Sequence, residues 1–250
     1  MRKVSILIII VAMMVLLVTA QSAQADILRG SSVFTDMSVI INHNGSNSSV
    51  YLSPMRVTNM TTNQPQFITF CGDPSVSTSS SFNGATGQEF GYFNLFSSSL
   101  TLYTAQQKTR INDLFRYAYA TAYDLNGNVI NVENARALQL VLWEVLGETS
   151  GTYNIQGGTF RVTTALSTSL LNTVNNWFGA LQGTITWASL GLTAYNDYDM
   201  TVYVPAGGTL AGQTMISITA PTSSVPEPSS LLFFGLGTLA VAPFFRKRKK

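Results

Sequence analysis

The chain has 250 residues, of which 46% are hydrophobic and only 10% are charged, and its formal net charge is +2. The positive balance comes from the two ends, because between Asp26 and Val225 only seven basic residues stand against 11 acidic ones. This central part is long enough for one domain, and its acidic balance excludes a basic surface for nucleic acid.

The first 25 residues have the pattern of a cleavable export signal. Two basic residues precede an apolar run from Val4 to Thr19, which is short for a membrane span. The run leads to Ala23-Gln24-Ala25, a small-x-small site of the kind that signal peptidase cleaves. We therefore predict a signal peptide over residues 1–25 and a mature chain that begins at Asp26.

The segments that follow have the composition of β-strands. Four of them are rich in β-branched and aromatic residues and are bounded by Gly, Pro or Asn: Ser32 to Ile41, Val50 to Asn59, Gln66 to Cys71 and Glu89 to Phe96. A loop rich in Ser, Thr and Gly lies between the last two, from Ser75 to Gly87. His43, the single histidine, lies in a strand-end turn, where a histidine is usually solvated.

Two helices are predicted next. Ala105 to Tyr123 places its apolar residues at helical spacing. In the second helix Asn131 can cap the start and Gly147 can end it. The later turns of this helix contain only two polar residues, Gln139 and Glu144. A helix that is apolar nearly all round is buried nearly all round, so we predict that this helix lies in the core.

The rest of the domain returns to strands. Leu170, Val174, Trp177 and Leu181 mark a third amphipathic helix. Four more segments are predicted as strands: Tyr153 to Val162, Thr184 to Leu190, Met200 to Val204 and Thr214 to Thr219. The element order predicts an α+β fold over residues 26–222, an antiparallel β-sandwich or barrel that carries a small helical insertion.

The last residues, 223–250, form a separate segment. Pro226-Glu227-Pro228 leads into an apolar stretch from Leu231 to Phe245, and five basic residues, Arg246 to Lys250, close the chain. Basic residues stay on the cytoplasmic side of a bilayer, so we predict a short transmembrane helix with the body of the protein outside the cytoplasm. The stretch is short for a permanent span, which suits a transient anchor.

This tail resembles the PEP-CTERM sorting signal of Gram-negative bacteria, in which Pro226, Glu227 and Pro228 would be the sorting motif. The resemblance implies that an exosortase, an integral membrane peptidase, processes the tail. It also implies a transient stay in the inner membrane, followed by release to the cell surface or to an exopolysaccharide biofilm matrix.

Enzyme and cofactor motifs are missing from the sequence. It contains no G-x-S-x-G elbow, phosphate-binding loop or dinucleotide fingerprint, and one histidine with one cysteine cannot build a typical zinc site. We therefore expect no cofactor, no metal and no enzymatic turnover. Cys71, the single cysteine, is in one interpretation only a small buried hydrophobe. In another it is the nucleophile of a hydrolase with His43 as its base.

A third interpretation of Cys71 comes from its surroundings. Phe70-Cys71-Gly72-Asp73 and the helical segment Leu138-Gln139-Leu140-Val141-Leu142-Trp143-Glu144 resemble the bacterial thioester-domain family. The resemblance covers roughly Phe67 to Leu181. It implies that the Cys71 thiol and the Gln139 amide condense into an internal thioester with loss of ammonia, and that Trp143 shields the bond. The family usually has a bulkier aliphatic residue where this chain has Gly72.

The function implied by this resemblance is covalent adhesion or crosslinking. An amine of a partner surface protein, or a hydroxyl of a glycan, would attack the Gln139 carbonyl once and release the Cys71 thiol. Lys108 is the only lysine between Asp26 and Val225, so few internal amines compete. The alternative is a non-reactive structural or glycan-binding β-domain of the biofilm matrix.

Overall fold

The structure is a computed structural model that describes residues 25–32, 37–62, 64–73, 76, 82, 86–148, 151–195, 198–207 and 212–219. All of these belong to one compact unit, Met1–Ala220. The predicted signal peptide up to Gln24 and the whole predicted sorting tail lie outside the described residues. Within the described ranges, no helix is both long and apolar enough to cross a bilayer.

Within the described residues, nine strands form two antiparallel sheets. In chain order they are β1 Ala25–Ser32, β2 Ser38–His43, β3 Ser46–Tyr51, β4 Met55–Asn59, β5 Gln64–Cys71, β6 Gln88–Asn94, β7 Phe160–Val162, β8 Asp199–Pro205 and β9 Met215–Thr219. Six of them close into a barrel in the order β1-β4-β5-β9-β8-β6, and the other three form a small sheet in the order β3-β2-β7. Of the two predicted alternatives, sandwich or barrel, the described strands form the barrel.

The barrel encloses a small apolar core. Leu28, Val57, Phe90 and Met215 are completely or almost completely buried inside it. Side chains alternate between the two faces of a strand, and Phe70 of β5 points away from the barrel interior. Its ring packs edge-on against Phe115, with 5.0 Å between ring centroids. The outer face of β5 is therefore part of a second, larger core, shared with the helices.

Three helices lie in one insertion between β6 and β8, as predicted: α1 Ala105–Ala122, α2 Val132–Gly147 and α3 Thr168–Gln182. Each begins with a side-chain cap that satisfies a free backbone N–H. Thr104 caps α1, Ser167 caps α3, and Asn131 caps α2 as the sequence predicts, accepting a hydrogen bond from the Asn134 N–H at 3.0 Å.

Helix α2 lies at the centre of the domain, in contact with β5, β7, α1 and α3. The prediction of burial on all sides is confirmed, since every residue from Ala137 to Val145 is buried. The buried residues include Gln139 and Glu144, both with no exposed surface. A buried polar side chain needs hydrogen-bond partners, and in a helix buried on all sides they come from neighbouring elements. The polar residues of α2 therefore connect it to the elements that form the site.

Several predicted strands differ from the observed ones. The segment Val50 to Asn59 is interrupted between β3 and β4, where Pro54 has no N–H for a sheet ladder. Tyr153 to Val162 is a strand only from Phe160, because Asn154 O accepts from the Gly157 N–H and folds the chain into a turn. Strand β1 was not predicted before Ser32.

The strand predicted from Thr184 to Leu190 is wrong. Gly183 adopts a left-handed conformation with a φ of 77° and ends α3. Thr184 then donates from both its backbone N–H and its hydroxyl to Gly179 O, which folds the chain back over the helix end. The segment finishes as a short 3-10 helix at Ala188–Leu190. Local capping bonds therefore override the β-branched composition.

Candidate functional site

Cys71 is the last residue of β5, and its position is fixed by the barrel. It is in register with Met215 of β9. The next N–H along the chain, that of Gly72, donates to Thr214 O at 2.7 Å. The strand therefore remains paired through the residue that carries the thiol, which leaves the backbone of Cys71 little freedom.

Helix α2 brings Gln139 and Trp143 to the same residue. The N–H of Cys71 donates to Gln139 Oε1 at 3.3 Å, and Gln139 Nε2 donates to Cys71 O at 3.0 Å. The Trp143 indole Nε1 also donates to Cys71 O at 3.0 Å. Residues four apart share one helix face, so one face of α2 meets the end of β5. The structure thus brings together all three residues that the sequence singled out for this site.

The site is closed to water. Gln139 has no exposed surface, and Trp143 and Cys71 are 1% and 5% exposed. Burial raises the pKa of the Cys71 thiol to about 12, while hydrogen bonding by the Trp143 side chain and the Asp73 backbone acts in the opposite direction. Cys71 is therefore a neutral thiol at neutral pH in this form of the protein.

The sulfur itself contacts a different set of residues from the Cys71 backbone. Cys71 Sγ donates to Asp73 O at 3.3 Å. It also lies in close contact with Nε2 of Gln213, a residue in the segment directly before β9. The same Nε2 donates to Asp73 O and to Val76 O, both at 2.9 Å. Nothing in the sequence points to Gln213, a polar residue 142 positions away from Cys71 in a stretch without a motif.

The atoms around position 72 explain why a glycine occupies it. A Cβ atom at this position would lie 2.9 Å from the Tyr103 hydroxyl and 3.1 Å from Thr214 O. An aliphatic side chain at this position would therefore clash with Tyr103. A glycine lets the tyrosine hydroxyl approach the backbone beside the thiol.

A cavity of about 150 Å³ opens beside this turn. Its polar lining comes from His43, Gly72, Asp73, Tyr103, Gln107 and Thr214. In the part of the chain that is described, the Tyr103 hydroxyl and Thr214 Oγ1 are buried without a hydrogen-bond partner. Burial and the nearby Cys71 and Asp73 raise the pKa of Tyr103, so its hydroxyl stays protonated as a donor. Two hydroxyl groups are thus free to bond a group that enters.

His43 lies at the end of β2 and is half-buried, not fully solvated as its turn sequence predicts. Its Nε2 lies 3.3 Å from Asn44 Nδ2, and its ring packs against Phe160 with 6.4 Å between ring centroids. Among the described residues, the hydrogen-bond partners of the Cys71 sulfur are Asp73 and Gln213 rather than His43. The geometry therefore offers no support for the hydrolase interpretation.

No metal centre is formed by the described ranges, in which no three His, Cys, Asp or Glu side chains lie close enough together to bind an ion. The predicted sorting residues Pro226, Glu227 and Pro228 lie outside those ranges. Their assignment rests on comparison with known sequences.

The family model described as the PEP-CTERM protein-sorting motif matches residues 224–249. The chain therefore carries a PEP-CTERM sorting signal. Such a signal marks an exported protein with a surface or extracellular fate and implies an exosortase-type peptidase as its processing partner. No curated protein matches the chain.

Three solved structures of bacterial protein domains are similar to this chain at low identity. The N-terminal domain of the Streptococcus pyogenes pilus tip adhesin Cpa is 12% identical, with a TM-score of 0.47 over 79% of this chain and 95% of that one. The N-terminal thioester domain of the fibronectin-binding protein SfbI from S. pyogenes is 9% identical, with a TM-score of 0.46 over 81% and 97%. The N-terminal thioester domain of a Clostridium perfringens surface protein is 10% identical, with a TM-score of 0.42 over 72% and 98%.

Proposed function

We propose that Cys71 and Gln139 condense into an internal thioester and that this exported protein uses the bond once, for covalent adhesion or crosslinking. The observation that carries the proposal is the pair of hydrogen bonds that hold the Gln139 amide on the backbone of Cys71. An amide is a poor electrophile, so the exchange requires the two groups to be held together in a fixed geometry. The end of β5 and the centre of α2 hold the Gln139 amide on the Cys71 backbone, which supports the proposal.

The condensation balances within the two side chains. The bond from Cys71 Sγ to Gln139 Cδ forms, and the bond from Cδ to Nε2 breaks. The thiol proton leaves with the nitrogen as ammonia. Because burial raises the thiol pKa to about 12, very little of the thiol is ionised at neutral pH, and we expect condensation to be slow. Slow formation is sufficient for a bond that each molecule makes once.

The same burial protects the product. A thioester in water is lost to hydrolysis, and exclusion of water prevents that side reaction. Trp143 covers the site and holds Cys71 O, so it has a positioning role in addition to the predicted shielding. An incoming nucleophile would enter the cavity beside Gly72, next to the buried site, where the unpartnered hydroxyls of Tyr103 and Thr214 can hydrogen-bond to it.

The one lysine of the central part is kept away from the reaction. Lys108 Nζ donates to Ser97 O at 3.0 Å and to Leu100 O at 2.7 Å. An ammonium held by two carbonyls is a poor nucleophile, so Lys108 does not compete with the amine or hydroxyl of a partner. The covalent target is then a surface-protein amine or a glycan hydroxyl at the cell surface or in the biofilm matrix of a Gram-negative bacterium.

Intact mass tests the proposal on exported protein. We expect the chain to be lighter by one ammonia than its sequence requires, and methylamine to add to Gln139 and expose one thiol for maleimide. Cys71→Ala and Gln139→Ala should each abolish both the deficit and the adduct. Gln156→Ala, at an exposed glutamine, is the control and should retain both. A full-mass wild-type protein that labels before amine is added would instead support the non-reactive matrix domain, in which Gln139 only hydrogen-bonds the Cys71 backbone.

A further inference from the structure

Two glutamines meet at Cys71, and they contact different parts of it. Gln139 bonds to the backbone N–H and C=O of Cys71. Gln213 Nε2 carries two N–H groups and lies within reach of three acceptors, the sulfur and two carbonyls of the following turn, Asp73 O and Val76 O, so the sulfur shares an N–H group with a carbonyl. One glutamine therefore holds the residue, and the other holds the reacting atom.

The contact with the sulfur has a chemical consequence. Negative charge develops on Sγ when the thiol attacks, and again when the thioester is opened and the thiolate leaves. Cys71 is buried, which disfavours that charge. An N–H donor already aimed at the sulfur stabilises the charge without further reorganisation.

We propose that Gln213 is the hydrogen-bond donor to the reacting sulfur, both in thioester formation and in its opening by the target nucleophile. This inference rests on the proposed function. In the opening step with an amine, the bond from its nitrogen to Gln139 Cδ forms, the bond from Cδ to Sγ breaks, and a proton from the amine ends on sulfur. Gln213 Nε2 supports the sulfur until that proton arrives.

The attachment of Gln213 to the turn fixes this donor in place. Its two bonds to Asp73 O and Val76 O join the segment before β9 to the segment after β5. The adjacent residue Thr214 is tied to Gly72 through the 2.7 Å bond from the Gly72 N–H. A purely structural role would end with these backbone contacts, whereas the proposed role predicts an effect on the rate at the sulfur.

The test measures the rate of methylamine addition to the exported full-length protein. Gln213→Met keeps a side chain of similar length and removes both N–H donors. We expect opening to slow by about tenfold or more, as when a donor to a developing charge is removed. Gln213→Asn, which keeps a donor on a shorter side chain, should be intermediate. Gln156→Met, at an exposed glutamine, is the matched control and should react at the wild-type rate.

Each outcome bears on the proposal. If thermal unfolding shows that Gln213→Met is not folded, the rate of Gln213→Asn relative to wild type decides whether Gln213 has the proposed role. Opening of the folded variant at the wild-type rate overturns the role of Gln213. A methylamide mapped to residue 213 instead of residue 139 also overturns it, because Gln213 would then be the acyl partner. A wild-type protein without the mass deficit refutes the proposed function itself, a result distinct from both.

Discussion

The amide of Gln139 pairs with the backbone of Cys71 as a residue of a neighbouring strand would, with Oε1 accepting from the N–H at 3.3 Å and Nε2 donating to the C=O at 3.0 Å. The two residues are 68 positions apart in the chain. A buried amide needs partners, and these two bonds satisfy it. The same bonds hold the amide of a helix residue against the backbone of the cysteine, so the contacts that satisfy a core glutamine are also those on which the proposed thioester depends.

Two substitutions of Trp143 distinguish its shielding of the thioester from its positioning of Cys71. Trp143→Phe keeps an aromatic ring in the site and removes the bond from Nε1 to Cys71 O, so we expect faster thioester hydrolysis with a stability loss of about 1 kcal/mol. Trp143→Ala removes the ring as well, and we expect still faster hydrolysis and a loss of about 3–5 kcal/mol. Mass spectrometry over time gives hydrolysis, and chemical denaturation gives stability. Equal hydrolysis rates in both variants and wild type would mean that the indole does neither.

Gly72→Ala tests the tight approach of Tyr103. The added Cβ would lie 2.9 Å from the tyrosine hydroxyl, so we expect a stability loss of roughly 1–3 kcal/mol and a smaller fraction of molecules with the mass deficit. Tyr103→Phe removes a hydroxyl that has no partner among the described residues, and it should restore both properties in the double variant. Gly91→Ala is the control, since its Cβ would contact nothing closer than 3.6 Å. Additive effects in the double variant would contradict the clash.

The site residues that sequence predicts are those with a local signal. Helical spacing and an almost wholly apolar surface mark α2 as buried, so a glutamine inside it stands out. A strand composition that ends at Cys71 places the thiol at a strand end. These signals depend only on neighbours within a few turns of chain.

The rest of the site depends on long-range register. Gln213 reaches Cys71 because β9 pairs with β5, and that pairing belongs to a closed barrel whose strand order does not follow the chain. The unpartnered hydroxyls of Tyr103 and Thr214 likewise become visible only in three dimensions. The strand predicted at Thr184 is wrong for the opposite reason. Hydrogen bonds between neighbouring residues at the end of α3 decide the local structure there, whereas the prediction used the composition of the whole segment.

Glu144 makes the stability of the domain depend on pH. Burial, together with the Glu148 charge, raises the pKa of Glu144 to about 8. The bond from the Asn154 N–H to Glu144 Oε1 at 2.6 Å acts in the opposite direction. A carboxyl with a raised folded pKa stabilises the fold at low pH and loses that contribution as pH rises. We therefore expect stability to fall between about pH 4.5 and 8.

Glu144→Gln removes this titration, and its amide oxygen can still accept from Asn154. The variant should be more stable than wild type at pH 9, and the gap should close at pH 5. Glu89→Gln, at an exposed glutamate, is the control and should change neither value. Thermal unfolding at the two pH values gives the comparison. If Glu144→Gln is less stable than wild type by the same amount at both pH values, the carboxyl is not neutral in the fold.

The sorting tail predicts a topology. A reporter that is active only outside the cytoplasm should be active when fused after Val225, because the five basic residues from Arg246 stay on the cytoplasmic side. Replacing these five residues by serine should impair retention or processing, whereas exchanging Arg and Lys among them should not. Fractionation and the size of the processed chain give the result. Activity of the reporter inside the cytoplasm would contradict export.

The Cys71 thiol can be probed before condensation in a variant that cannot form the bond. In Gln139→Ala no thioester forms, so Cys71 remains a thiol, and we expect burial to keep its pKa raised as it does in the wild-type fold. Alkylation by iodoacetamide requires the thiolate, so its rate in the folded variant should rise about tenfold per pH unit from pH 7 to 10 without a plateau. The same chain unfolded in denaturant should level off near its ordinary thiol pKa of about 8.5. Cys71→Ala combined with Gln139→Ala is the blank for other alkylation sites. A plateau at or below pH 9 in the folded variant would show that the sulfur is ionised more readily than its burial implies, and condensation would then be correspondingly faster.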